Sequence, residues 1–180
     1  MKEIEGIARK YEADLLVIGT HSVSGMKRLA FGSKAEAFYR YIDIPVLTVG
    51  PHVYVRKQAF ASILLPTDLK PDSLRAAQYA VSVAEESNAK LTLLHVLERS
   101  DESEESIMSR MQQLVSEDAA QWCTPEFRIA SGDPAETILR TAAELDTDLI
   151  VLGVTHHRPL ADHNTGRLRP RLSPGLIVPC

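Results

Sequence analysis

The sequence predicts an α/β protein with a mostly parallel sheet and helices on both of its faces, and three observations lead to this prediction. Short unbroken apolar runs, typical of strands covered on both faces, occur at 15–18, 63–66 and 149–152. Longer segments between them carry apolar residues at three- and four-residue steps, which is typical of helices packed along one face. Alternation of the two patterns predicts repeated βαβ units with ligands at the carboxyl ends of the strands.

The first fifty residues predict the order helix, strand, helix, strand. The boundaries come from a helical stripe at Ile4, Ile7, Ala8 and Tyr11, a strand at 15–18 ended by Gly19, a helix capped by Ser33, and a strand at 45–49 closed by Gly50 and Pro51. Residues 52–60 have no clean period and a charged centre, so we expect a linker there.

The longer second part begins at residue 61 and predicts strands and helices in regular alternation. The strands are expected at 63–66, 90–96, 127–129, 148–152 and 176–178. The helices are expected from apolar stripes that include Leu74, Ala77, Ala80, Val81 and Ala84, then Ile107, Met111, Leu114 and Val115, then Ile138, Leu139, Ala142 and Leu145.

The chain contains an internal repeat. A shift of 134 positions places Ala8 on Ala142, Asp14 on Asp148, Gly19 on Gly153 and Gly32 on Gly166. We therefore expect an incomplete unit over 1–51, a linker over 52–60 and a nearly complete unit over 61–180 with a degenerate C-terminus. The last helix of the second unit is doubtful because Pro170 lies where its interior would be, and proline there costs about 3 kcal/mol.

Composition excludes several classes of function. The net charge is −4 at pH 7, and no apolar run approaches the roughly 20 residues that cross a bilayer, so we expect no binding to nucleic acid or membrane. Charges are spread through the first 14 residues without an apolar core, so we expect no secretory signal. The two cysteines, Cys123 and Cys180, lie far apart without a zinc-binding spacing, and this cysteine usage suits a reducing cytoplasm. His156, His157 and His163 share one loop without a fixed spacing, so we expect no metal site.

Three segments carry a recognisable pattern: DLLVIGTHSVSGMKRLAFGSKAEAFYRYIDIPVLTVGP, ILLPTDLKPDSLRAAQYAVSVAEESNAKLTLLHVLE and GDPAETILRTAAELDTDLIVLG. Together they resemble the universal stress protein family in a truncated tandem form. The resemblance implies the parallel sheet of the adenine nucleotide alpha hydrolase-like fold, in which one subgroup binds ATP. Nucleotide-binding members carry Gly-x2-Gly-x9-Gly-Ser/Thr after the fourth strand, an Asp after the first strand and an apolar residue in the second strand.

The resemblance assigns different parts of a nucleotide site to the two units. In the first unit it selects Gly19, Gly32 and Ser33, with Ser22 where the second glycine belongs. In the second unit it selects Pro66, Asp68 and Val96 for adenosine, and Gly153, Gly166 and Arg167 for phosphate, with His156 at the second glycine position. The implied ligand is ATP, with Mg²⁺ accompanying it.

Alternatives remain open for these residues. Taken alone, Asp68 is more typical of a carboxylate at a turn or helix entrance than of a ribose ligand, and the resemblance makes the two roles about equally favoured. Gly19 and Gly153 could simply end their strands. A composite site would arise if the strand at 15–18 paired beside 63–65, in competition with 149–152.

We expect a cytoplasmic stress-response module that senses an adenine nucleotide without turning it over. The alternative is an interaction protein that dimerises and binds no nucleotide, and a minor alternative is an enzyme of adenylyl chemistry. No nucleophile-elbow motif or paired-carboxylate constellation supports catalysis. The last strands of the two units, 45–49 and 176–178, are expected to pair in an internal pseudo-dimer or with a second copy.

Overall fold

The computed structural model describes residues 2–19, 44–49, 60–97, 102–116, 119, 124–153 and 175–179. Within this part the strands are β1 (Leu16–Gly19), β2 (Val46–Val49), β3 (Ser62–Pro66), β4 (Lys90–Leu97), β5 (Glu126–Ser131), β6 (Leu149–Gly153) and β7 (Gly175–Pro179). The helices are α1 (Lys2–Lys10), α2 (Pro71–Ser87), α3 (Glu104–Gln112) and α4 (Pro134–Glu144). The α/β class predicted from the sequence is confirmed.

The strands form a seven-stranded sheet in the order β1-β2-β7-β6-β3-β4-β5. Every described pair is parallel except β6 with β7, which is antiparallel. It follows that β1, β2 and β7 run in one direction and β6, β3, β4 and β5 in the other. The carboxyl ends of β1 and β6 therefore point in opposite directions along the strand axis and lie on opposite sides of the sheet.

Strand β7 joins the two halves of the sheet. Val46 of β2 pairs with Leu176, so the predicted contact between the two last strands is present. On its other side β7 runs against β6, with Gly153 opposite Gly175. An antiparallel neighbour needs no crossover helix, whereas a parallel one does. The doubtful last helix belongs to residues 154–174, and the predicted helix after Ser33 to residues 20–43; both lie outside the described part.

The main core lies between α2 and the sheet. Small residues of α2 pack on the buried residues of β3, β4 and β6; the core includes Ile63, Leu65, Ala76, Ala77, Ala80, Ala84, Leu91, Leu93, Leu149 and Val151. The helix begins with a proline in its first turn, where the missing N–H costs nothing, and ends at Asn88 in a left-handed conformation (φ 51°). On the opposite face α4 packs through Ala142 against Leu64, Leu94 and Ile150.

Two expectations about packing are wrong. The strand at 15–18 was expected to be covered on both faces, but Val17 is 57% exposed and Leu15 is 43% exposed. Two residues predicted to lie on the buried faces of their helices, Leu74 and Leu139, are exposed. Their neighbours on the same faces, Ala77 and Ala142, are buried as predicted. Among the described residues, no helix combines the length and hydropathy that a membrane span requires.

Candidate functional site

A cleft of about 530 Å³ opens at the carboxyl ends of β3, β4 and β6. The entrance of α2 and the first turns of α4 form its sides, and Arg110 of α3 reaches its rim. The lining residues are Pro66, Thr67, Asp68, Lys70, Ser73, Leu94, His95, Val96, Leu97, Glu102, Arg110, Pro134, Ile138, Leu152 and Gly153. Ligands of open parallel sheets bind at this edge, so the cleft is in the place that the fold class predicts.

The loop after β3 is held by hydrogen bonds to its neighbours. The Thr67 N–H donates to the Leu94 carbonyl at 2.9 Å, which extends the β3–β4 ladder by one residue. His95 Nδ1 lies 2.8 Å from the Thr67 carbonyl oxygen, and because a carbonyl only accepts, Nδ1 carries the proton. Leu69 then adopts φ 58°, and its N–H donates to Thr67 Oγ1 at 3.0 Å. These contacts fix the position from which Asp68 faces the cleft.

Asp68 accepts several hydrogen bonds at the entrance of α2. Its Oδ1 accepts from the Lys70 N–H at 3.1 Å and from Ser73 Oγ at 2.8 Å. Its Oδ2 lies 2.8 Å from Lys70 Nζ. Partial burial would raise the pKa of Asp68, but the hydrogen bonds from Lys70 and Ser73 outweigh it and lower the pKa. The carboxylate is thus ionised at neutral pH, and its Oδ2 pairs with an ammonium whose side chain is 69% exposed.

Arg110 connects α3 to the same loop. Its Nη1 donates to both carboxylate oxygens of Glu102, at 2.9 and 3.0 Å, and its Nη2 donates to the Leu69 carbonyl at 3.0 Å. Hydrogen bonds from Arg110 and then from Ser106 lower the pKa of Glu102. At the rim of the cleft, the planar guanidinium of Arg110 thus joins the Glu102 carboxylate to the main-chain carbonyl of Leu69.

The inner wall of the cleft is apolar. It consists of Leu94, Val96 and Leu97 from β4, Pro66 from β3, Pro134 and Ile138 from α4, and Leu152 from β6. A flat, uncharged ring fits such a wall, while the polar groups at the rim fix its orientation. The described charged groups of the cleft, Asp68 with Lys70 and Glu102 with Arg110, are paired and leave no net charge.

The structure gathers the described second-unit residues of the predicted site. Pro66, Asp68, Val96 and Gly153 all line the one cleft. Gly19 ends β1, which runs in the opposite direction to β6 and is separated from it by β2 and β7. Gly19 therefore lies away from the cleft. The composite site is therefore wrong, because β3 pairs with β4 and β6 and has no free edge for β1. Gly32, Ser33, Gly166 and Arg167 lie outside the described residues.

Sequence reasoning missed six polar residues that line the cleft: Thr67, Lys70, Ser73, His95, Glu102 and Arg110. Lys70 follows the predicted strand 63–66 and His95 lies within the predicted strand 90–96, so these positions could have suggested them. Glu102 lies just before α3 and Arg110 lies within it, eight positions later, and this spacing corresponds to no motif. Only the packing of α3 beside the β3–α2 loop brings them to the cleft. The described residues contain no cluster of three or more metal-ligating side chains.

Comparison with known proteins identifies the fold and the family. A family model described as the universal stress protein family matches residues 2–50 and 59–167. The chain belongs to the universal stress protein family. The resemblance seen in the sequence is thereby confirmed, and this universal stress protein carries its cleft at the carboxyl ends of the first, second and fourth strands of residues 61–153.

A solved structure shows the same fold over nearly the whole chain. A universal stress protein from Archaeoglobus fulgidus DSM 4304 superimposes with a TM-score of 0.68 at 21% identity, over 98% of this chain and 65% of that chain. A universal stress protein crystallised in complex with cAMP covers 52% of this chain and 71% of its own, with a TM-score of 0.44 and 26% identity.

One curated relative is a larger protein. The Na(+)/H(+) antiporter NhaS5 of Synechocystis sp. (strain ATCC 27184 / PCC 6803 / Kazusa) is 25% identical over 175 residues, which is 95% of this chain. The chain spans 24% of the length of that relative.

Proposed function

We propose that this universal stress protein binds an adenine nucleotide, with ATP as the first candidate, in the cleft between β3, β4 and β6. The protein would act as a stress-response module that senses the nucleotide without turning it over. A cytoplasmic location is part of this proposal. Any Mg²⁺ would enter with the phosphates of the nucleotide.

One observation supports the proposal above the others. Pro66, Asp68, Val96 and Gly153 were selected from the sequence by resemblance to nucleotide-binding relatives, and they are up to 87 positions apart. All four line a single cleft of about 530 Å³, a volume typical of a small-molecule site. Because these four residues were selected for an adenine nucleotide and lie around one cleft, they favour an adenine nucleotide as its ligand.

The chemistry of the cleft matches the parts of a nucleoside. The side chains of Pro66 and Val96 offer an apolar surface to the base, and the Asp68 carboxylate can accept from ribose hydroxyls. Oδ2 of Asp68 lies on the exposed side of the carboxylate, where it pairs with Lys70 Nζ at 2.8 Å. Gly153, at the end of β6, starts the segment from which phosphate contacts are expected.

Ligand-dependent thermal stability tests the binding. We expect millimolar ATP with Mg²⁺ to raise the melting temperature of the wild type, because a ligand that binds only the native state stabilises it. Asp68→Ala should abolish the shift. The matched control is Glu86→Gln, which removes a carboxylate near the end of α2 that lies away from the cleft. Absence of any shift in the wild type, or an equal shift in both variants, would contradict the proposal.

A second measurement tests the absence of turnover. The wild-type protein is incubated with ATP and Mg²⁺, and ADP, AMP and phosphate are quantified by chromatography. We expect no product above the level of a heat-inactivated sample. Product formation that disappears in Asp68→Ala would instead favour the enzymatic alternative.

The rival function is an interaction protein that binds no nucleotide. It is favoured by the Asp68 carboxylate, whose two oxygens already bond Lys70 and Ser73, and by the pairing of β2 with β7. Under this function ATP leaves the melting temperature unchanged, and the oligomeric state in analytical ultracentrifugation depends on protein concentration.

A further inference from the structure

The strand ends that form the cleft follow one another in a fixed order. Strand β3 lies between β6 and β4, so Asp68, which follows β3, lies between Gly153 at the end of β6 and Val96 near the end of β4. In the proposed function the phosphates lie on the side of Gly153 and the ribose lies at Asp68. Because the ribose joins the phosphates to the base, the base lies on the β4 side of the cleft. This placement rests on the proposed function.

Helix α3 brings a second carboxylate to the β4 side of the cleft. Ile107 and Met111 of α3 belong to the buried core against which Phe127 and Ile129 of β5 pack, and β5 is the neighbour of β4. Glu102 lies just before α3 and lines the cleft. Its carboxylate therefore lies at the end of the cleft that is expected to hold the base.

The Glu102 carboxylate can accept one more hydrogen bond. A carboxylate has about four lone-pair positions, two on each oxygen. Oε1 accepts from Ser106 Oγ at 2.8 Å and from Arg110 Nη1 at 2.9 Å. Oε2 accepts from Arg110 Nη1 at 3.0 Å and from no other residue in the described part of the chain. The remaining acceptor position is therefore on Oε2.

Arg110 fixes both the position and the charge of this carboxylate. Its Nη2 donates to the Leu69 carbonyl at 3.0 Å, so one guanidinium ties Glu102 to the loop that carries Asp68. Hydrogen bonds from Arg110 and then from Ser106 lower the pKa of Glu102. The carboxylate is ionised at neutral pH, and in that form it accepts hydrogen bonds but cannot donate them.

We propose that Glu102 selects adenine, because its Oε2 accepts a hydrogen bond from the 6-amino group of the base. Arg110 is a positioning residue that holds the carboxylate in place. A purine bound in the same orientation with an oxygen at position 6 would place one acceptor against another, which leaves the buried ends of both without a hydrogen.

The other polar groups that line the described cleft fit the 6-amino group less well. Arg110 and Lys70 only donate, as the amino group does. Asp68 accepts, but its position after β3 is that of the ribose. His95 Nδ1 carries the proton that it shares with the Thr67 carbonyl, so its Nε2 is a second acceptor on β4, and the variants below separate it from Glu102.

A nucleotide that lacks only the 6-amino group tests the role of Glu102. ATP and purine riboside triphosphate differ by that group, and isothermal titration calorimetry in the presence of Mg²⁺ measures the affinity of the full chain for each. We expect the wild type to bind ATP about tenfold more tightly, because the analogue cannot donate to a charged acceptor. In Glu102→Ala the two affinities should become equal.

The ratio of the two affinities separates recognition of the base from support of the fold. If Glu102 only holds Arg110 and α3 in place, Glu102→Ala weakens both nucleotides equally and keeps the ratio, which would overturn the proposal. Glu105→Ala is the matched control, since Glu105 is an exposed carboxylate in the first turn of α3 outside the lining of the cleft. It should leave the ratio unchanged.

Two variants of Arg110 test its role as a positioning residue. Arg110→Gln should lower the preference for ATP over the analogue, because the carboxylate loses the cation that holds it. Arg110→Lys should restore part of the preference, since lysine keeps the charge but not the planar fork. An unchanged preference in Arg110→Gln would overturn the positioning role.

The outcomes distinguish this proposal from the proposed function. If neither nucleotide binds the wild type, both are wrong. If ATP binds but the wild type shows no preference over the analogue, or Glu102→Ala keeps the preference, nucleotide binding stands and the role of Glu102 is overturned; a preference that is kept in Glu102→Ala and lost in His95→Phe would assign the acceptor to His95. Tighter binding of GTP than of ATP would also overturn the selection of adenine.

Discussion

Arg110 Nη2 donates a hydrogen bond of 3.0 Å to the main-chain carbonyl of Leu69, which lies 41 positions earlier in the chain. Leu69 has φ 58°, a conformation that costs a leucine roughly 1–2 kcal/mol, so it persists only where neighbouring contacts hold it. The loop that presents Asp68 is thus stabilised from α3 as well as from β4. The Leu69 carbonyl thus connects Arg110 at the rim of the cleft to the loop that carries Asp68.

Loss of the Arg110 contact should loosen this loop. We expect Arg110→Gln to lower the free energy of unfolding by about 1 kcal/mol, the usual contribution of a hydrogen bond such as that to the Leu69 carbonyl. Urea unfolding measures the change. Arg140→Gln is the control, since Arg140 makes only a 3.8 Å surface pair with Glu144. Equal losses in both variants would show that Arg110 contributes no more than a surface charge.

The Asp68 carboxylate should make stability depend on pH in the acid range. Its pKa is lowered in the folded state, so its stabilising contribution is complete above the unfolded pKa of about 4 and is lost as the pH falls through the folded pKa. The side chain is 54% exposed, so solvent screening keeps the effect well below 1 kcal/mol. Urea unfolding of wild type and Asp68→Asn should show a small difference at pH 7 that vanishes once the pH falls below the folded pKa of Asp68.

Two glycines should respond oppositely to alanine. Gly132 has φ 136°, and a Cβ there would lie 3.1 Å from Thr137 Oγ1, so we expect Gly132→Ala to cost roughly 1–3 kcal/mol. Gly6 lies within α1, where nothing approaches its Cβ position, and Gly6→Ala should stabilise the helix by about 0.5–1 kcal/mol. Thermal unfolding compares the two variants. A destabilising Gly6→Ala would contradict the open surface of α1.

Asp148 should stabilise the start of β3. It accepts from the N–H groups of Ala61 and Ser62, and its own N–H donates to the Ser62 carbonyl at 2.8 Å. We expect Asp148→Ala to cost about 1–3 kcal/mol and Asp148→Asn less, because asparagine keeps an acceptor without the charge. Chemical denaturation with Glu144→Gln as the surface control measures this. A loss no larger than that of the control would contradict the role of the Asp148 carboxylate.

The sequence predicted the strands of the second unit closely. The runs at 63–66 and 149–152 correspond to β3 (Ser62–Pro66) and β6 (Leu149–Gly153), because buried parallel strands leave an unbroken apolar signature between a polar start and a glycine or proline end. The helix expected from the stripe Ile107, Met111, Leu114 and Val115 spans Glu104–Gln112 and ends before the last two of these residues, although Ile107 and Met111 are buried as predicted. Helix ends depend on local capping, here by Ser103, more than on the apolar stripe.

The sequence alone determined which residues form the strands and helices of the second unit, and it selected Pro66, Asp68, Val96 and Gly153, which line one cleft. Those features depend on short-range pattern: strand periodicity, helical spacing and the residues that follow a strand. It could not determine the direction of β7, the exposure of Val17, or the arrival of Glu102 and Arg110 at the cleft. Each of these depends on which distant segment lies alongside, and that is decided only when the sheet order and helix packing bring residues far apart in the chain into contact.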